Sequence, residues 1–175
     1  MTKKQAALIQ ELDEISSLLR LDYRTIRNYK LSVRTLHLLR MKNHLIRGEV
    51  IMQYTLIDEY LSNRLCRYFF GKRSFISLWR TKKFRNFNYY VIEHLSLMEK
   101  LKFVKSITDI PRNIARDIER INGLRNGLAH AFFPQNLRNQ KPIYKGKDIF
   151  TREGIGLFIS DMTAISHFCQ GSRWR

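Results

Sequence analysis

The stretch Glu49-Val-Ile-Met-Gln-Tyr-Thr-Leu-Ile-Asp-Glu-Tyr-Leu-Ser-Asn-Arg-Leu-Cys-Arg-Tyr-Phe-Phe70 decides how the rest of the chain is read. Val50, Tyr54, Ile57, Leu61, Leu65 and Tyr68 recur every three or four residues, the spacing that lines one side of an α-helix. Asp58 falls at the edge of this stripe and Glu59 points away from it. Gly71 then ends the helix, because a residue without a Cβ turns the chain out of helical geometry at least cost. The same period recurs on both sides. Leu8, Leu12, Ile15 and Leu19 predict a helix over residues 4–20, and a further helix is expected from Val91 to Ser106. Thr108 or Asp109 can cap the next one, with Pro111 suiting its first turn. That helix carries Ile114, Ile118, Ile121, Leu124 and Leu128 until Phe133 and Pro134 stop it. Residues 135–150, with Pro142 and Gly146, form a loop or short hairpin. Phe158, Met162, Ile165 and Cys169 mark a last helix from Ile155 to Cys169. The expected fold is all-α, an up-and-down helical bundle. Gly48 divides it into a basic helical N-terminal arm (residues 1–47) and the bundle proper (residues 48–175).

Charge is the second organising feature. The 175 residues hold 32 Lys and Arg against 15 Asp and Glu, a net charge of +17. Such a field attracts polyanions, of which nucleic acid is the commonest. The excess is clustered. Between Arg20 and Arg47, eight cations, among them Arg24, Arg27 and Arg34, oppose a single acid, Asp22. A helix-turn-helix is disfavoured there, since no glycine turn separates two short helices. Between Lys72 and Arg85 stand Lys72, Arg73, Arg80, Lys82, Lys83 and Arg85 without an acid. Phe75, Trp79, Phe84, Phe87, Tyr89 and Tyr90 lie among and after them. Cations that follow phosphates beside rings that stack on bases suit single-stranded nucleic acid. Trp79 and Tyr90 are expected in the core, whereas the cations are expected on the surface.

Cys66 and Cys169 sit in apolar helical contexts with neither metal spacing nor a disulfide framework, which points to buried thiols in a reducing cytoplasm. Glu11, Asp13 and Glu14 interrupt what a signal peptide would need as an apolar core, and no apolar run reaches membrane-spanning length. A cytoplasmic protein without a membrane segment is expected. No glycine-rich phosphate loop, His/Cys metal cluster or serine elbow appears, so neither a metal nor a cofactor is expected.

One constellation carries chemistry: Leu124-Arg125-Asn126-Gly127-Leu128-Ala129-His130. A guanidinium can stabilise the charge that develops on a phosphorane, and an imidazole can move a proton near neutral pH. On a helical wheel Arg125 falls in the middle of the apolar stripe of Ile114, Ile118, Ile121 and Leu128. A cation there must be paired or must face a cleft. His130 projects about 140° away on an ideal helix, so both side chains can serve one site only near a helix end or across a subunit boundary. Two structural roles compete with a catalytic one. Arg125 could pair with Asp58 of the neighbouring helix, and His130 could cap a helix C-terminus.

The motif and its setting resemble the HEPN domains, small helical bundles whose signature is an Arg, a polar residue (often Asn), a few residues and a His. The earlier long helix with its acid Asp58, the helix pair and the closing helix fit residues 45 to 170. The basic arm is not explained by the family. The resemblance implies a homodimer whose two motifs face each other in a basic cleft. It also implies metal-independent cleavage of RNA in many members. Arg125, Asn126 and His130 carry over: the RNA 2′-hydroxyl attacks its own phosphate, leaving a 2′,3′-cyclic phosphate and a 5′-hydroxyl. His130 serves as general base or acid, Arg125 stabilises the pentacoordinate charge, and Asn126 orients the phosphate or the His. By analogy alone, the chain is a toxin or defence protein restrained by an antitoxin partner. Two other readings remain open: an RNA-binding or adaptor module without catalysis, and a DNA-binding regulator using the basic arm.

Overall fold

The computed structural model describes residues 28–71, 73–130 and 142–171, together with the isolated helical positions 6, 10 and 13–15. The protein is an all-α helical bundle with one two-stranded hairpin among the described residues. Its elements are α1 (Leu31–Phe70), α2 (Phe75–Trp79), α3 (Lys82–Tyr90), a 3-10 turn (Ile92–His94), α4 (Leu97–Ile107), α5 (Arg112–His130), β1 (Ile143–Tyr144), β2 (Lys147–Asp148) and α6 (Arg152–Gln170). Most of the first expected helix lies outside the described residues. Of all the described helices, none is long and apolar enough to cross a membrane.

The chain divides into two units, Met1–Gly48 and Glu49–Arg175. Within the first, Arg34 donates to the Tyr29 carbonyl at 3.1 Å, and the Tyr29 ring meets His37 edge-on at 4.7 Å. Gly48 does not break the helix as the sequence suggests: α1 runs through it without interruption. A mid-helix glycine costs about 0.5–1 kcal/mol, too little to stop a helix whose neighbouring turns are already formed. The break comes at Gly71, at φ +72, whose N–H returns to the Arg67 carbonyl.

In the second unit, residues 49–70 of α1 pack with α4, α5 and α6. Asp58 reaches Lys100 and Arg64 reaches Thr108, so α4 runs parallel to this part of α1, and Tyr60 reaches Gln170 of α6. Tyr54 reaches Arg125 of α5. Short α2 and α3 return the chain between α1 and α4. The core is built from the apolar stripes. Val50, Ile57, Leu61 and Leu65 of α1 are buried; so are Ile114, Ile118, Ile121, Leu124 and Leu128 of α5, and Phe158, Met162, Ile165 and Cys169 of α6.

Two local features refine the sequence reading. The helix expected from Val91 begins instead at Leu97. Ser96 accepts from the Glu99 N–H while the Glu99 carboxylate accepts from the Ser96 N–H, a reciprocal cap written in the sequence as Ser-Leu-Met-Glu. Residues 143–148 form a hairpin whose turn residues, Lys145 (φ 47) and Gly146 (φ 81), both take left-handed backbone. Lys145 is held there by its ammonium, 2.6 Å from Asp161 and 3.1 Å from Asp117. Burial opposes its charge, but the two carboxylates outweigh that and keep its pKa above the ordinary lysine value. The buried Tyr144 hydroxyl donates to Asp161 at 2.6 Å, and burial together with that bond pushes its pKa up. The hairpin is thereby pinned to α5 and α6.

Candidate functional site

Arg125 and Asn126 occupy the last two turns of α5, five and four residues before its described end at His130. The apolar stripe of α5 is buried as the wheel requires, yet Arg125 within it is only half-buried. The neighbouring α1 explains how. Its Tyr54 offers a ring face rather than an aliphatic side chain, and the Arg125 guanidinium carbon lies 4.9 Å from the ring centroid. An aromatic face attracts a cation without neutralising it. One Nη of Arg125 also donates to the Asn126 Oδ1 at 3.1 Å. Among the described residues no carboxylate lies within ion-pair distance of Arg125. Its charge stays available to an anion, and the exposed Asn126 amide beside it can add a donor.

The expected Arg125–Asp58 pair does not form. Asp58, one turn beyond Tyr54, accepts from the buried Lys100 ammonium through both oxygens, at 2.8 and 2.6 Å. Lys100 side-chain exposure is 5%, against 31% for Asp58. A helical wheel places Asp58 at the stripe's edge but cannot say which cation of which helix faces it. Lys100 had no sequence signal beyond its position in α4. Asp58, Tyr54, Asn63, Asn88, Glu93 and Lys100 are among the residues lining an open cleft of about 460 Å³. Asp58 therefore ties α4 to α1 beside Tyr54 and does not touch Arg125.

His130 is the final helical residue of α5, and its side chain lies outside the described residues. Arg24, Arg27 and Lys72 also lie outside them. Arg34 belongs to the first unit, half-buried, with its guanidinium on the Tyr29 carbonyl. Arg73, Lys82, Lys83 and Arg85 are exposed on and around α2 and α3. They do not gather around Arg125. Phe84 and Lys83 meet Phe70 at the end of α1, with ring centroids 5.2 Å apart and the ammonium 6.0 Å from the ring. Phe70 lies sixteen residues from Tyr54, about 24 Å along the helix axis.

Trp79 and Tyr90, expected in the core, are 48% and 67% exposed, because Leu78, Phe84 and Ile92 take the inward places instead. Both cysteines are buried, and desolvation pushes the thiol pKa up to about 11 at Cys66 and about 12 at Cys169. Neither is a nucleophile at neutral pH. No group of three or more His, Cys, Asp or Glu among the described residues is placed to hold a metal ion. The chain matches no protein-family model, no curated protein and no solved structure.

Proposed function

We propose that this protein is a metal-independent endoribonuclease of HEPN type, with Arg125, Asn126 and His130 as its catalytic set. The observation that carries the reading is the state of Arg125. It is a half-buried guanidinium in an apolar helix face, held by an aromatic ring and an amide and compensated by no described carboxylate. A partly desolvated cation kept unneutralised costs some stability unless an anion uses it. The +17 charge fits a polyanion, and His130, five residues on, is the proton-transfer group the motif implies.

The chemistry needs little beyond these groups. The 2′-hydroxyl loses its proton to one imidazole and attacks the adjacent phosphorus. Arg125 balances the dianionic phosphorane, and the 5′-oxygen leaves with a proton from a second acid. In a homodimer of the expected kind, that acid is the second copy's imidazole. A restraining antitoxin partner, and residence in the cytoplasm, extend the same family analogy.

The test is incubation of the purified chain with single-stranded RNA in EDTA, beside Arg125→Ala and His130→Ala. Cleavage by the wild type alone supports the proposal. Salt-dependent binding with no cleavage by any of the three favours a non-catalytic RNA-binding module. Preference for duplex DNA favours the regulator.

A further inference from the structure

From Tyr60 to Ile92 the chain carries eight Lys or Arg, ten aromatic residues and no acid. The fold separates the rings into two sets. Phe84 and Phe87 point inward from α3 and pack against Phe70 at 5.2 Å each. Lys82, Arg85, Asn86, Tyr89 and Tyr90 form the outward face of the same helix, and all five are exposed. Spacings of three and four residues place Lys82 beside Arg85 and Arg85 beside Tyr89. Trp79, 48% exposed, closes one end of this face, with its ring edge-on to Phe84 at 5.2 Å. Arg85 is tethered next to it, donating through one Nη to the carbonyls of Trp79 and Arg80 at 3.0 and 3.2 Å. Its remaining guanidinium donors point to no carboxylate among the described residues.

We infer that the outer face of α2 and α3 is a docking platform for single-stranded nucleic acid, separate from the Arg125 site. Trp79 and Tyr89 would stack on bases while Lys82 and Arg85 hold the intervening phosphates. A self-association patch would not need an unbroken run of cations with no acid to pair them on a second copy. A polyanion does. Duplex stacks its bases inside and hides the surfaces these rings would use, so single strands are the fitting class. The nine residues of α3 extend about 13 Å, room for two or three nucleotides.

The inference is tested on the full chain carrying Arg125→Ala, which keeps an RNA probe intact. Fluorescence anisotropy would follow binding to fluorescein-labelled (U)20 RNA, (dT)20 DNA and a 20-base-pair duplex over a range of salt. Adding Trp79→Leu and Tyr89→Leu, which keep apolar volume but remove the stacking faces, is expected to weaken both single strands on the order of tenfold and leave the salt slope unchanged. Adding Lys82→Gln and Arg85→Gln instead should lower that slope by about 1.4. Because all four side chains are exposed, far-UV circular dichroism should match the parent. Unchanged single-strand affinity in the leucine variant overturns the inference. So does an equal loss for duplex, or a change from dimer to monomer in light scattering that marks the face as a contact between copies. A chain that binds through this face but never cleaves RNA defeats only the nuclease proposal. One that cleaves, with leucine variants that bind normally, defeats only this one.

Discussion

The guanidinium of Arg125 rests over the ring of Tyr54, 4.9 Å from its centroid, while the carboxylate of Asp58, one turn along the same helix, is committed to Lys100. The two facts together keep a partly desolvated cation in place without cancelling it. If the ring is what holds Arg125 in register, Tyr54→Phe should leave RNA cleavage near the wild-type rate. Tyr54→Leu should lower it about three- to tenfold, the equivalent of roughly 1 kcal/mol of cation–π attraction, with the circular dichroism unchanged. Equal rates for the two variants would remove the ring from the account.

The Asp58–Lys100 pair predicts an asymmetry in stability. Asp58→Leu strands a buried ammonium and should cost about 3 kcal/mol in urea unfolding. Lys100→Met leaves a carboxylate that is about a third exposed and can be rehydrated, so it should cost clearly less. Joining both changes should recover much of the larger loss. A double variant as unstable as the sum of the singles would show that the pair is not the dominant interaction there.

Gly154, in the first turn of α6, should tolerate no side chain. A Cβ there would run into the Asp148 carbonyl of β2, so Gly154→Ala must push the hairpin from the helix and should cost about 1–3 kcal/mol. Gly156, two residues on, meets nothing within 4 Å. Gly156→Ala should instead stabilise by about 0.5–1 kcal/mol through helix propensity alone. Thermal unfolding of the two variants decides this.

Alkali should loosen the fold before acid chemistry of the core matters. The thiols of Cys66 and Cys169 rise from 9.0 to about 11 and about 12, and burial also raises Tyr144 above its ordinary 10. A group whose pKa is higher folded than unfolded contributes full stability below its unfolded value and loses it as pH climbs toward the folded one. Unfolding free energy should therefore fall from pH 9 upward, at most by about 1.4 kcal/mol per pH unit for each thiol. Between pH 9 and 10, before tyrosine joins, the Cys66→Ala, Cys169→Ala chain should show a shallower slope, whatever its absolute stability. An identical slope would contradict the assignment.

Much of the fold was legible because periodicity reports burial directly. The stripe positions named for α5 and α6, from Ile114 to Leu128 and from Phe158 to Cys169, are buried, and Gly71 ends α1 where a left-handed backbone is required. Gly48 misled because a single helix-weakening residue is outweighed by its neighbours, a balance that composition does not reveal. Trp79 and Tyr90 misled because ring size suggests burial, while on two such short helices the inward places go to Leu78 of α2 and to Phe84 and Phe87 of α3. The candidate site was half legible. Arg125 stood out as a cation on an apolar face, but its partner could not be named, since Tyr54 reads as one more core residue. Lys145 and Asp161 meet only in three dimensions, across a hairpin that the sequence offers as one of two alternatives, a loop or a short hairpin.

The most direct measurement is the chemistry of the ends that the protein leaves on a defined RNA in EDTA, read by mass spectrometry, with a matched RNA carrying one 2′-deoxy sugar at the cut. The account predicts a 2′,3′-cyclic phosphate and a 5′-hydroxyl, and no cut at the deoxy position. A 3′-hydroxyl with a 5′-phosphate, or cleavage that persists at the deoxy sugar, would contradict it.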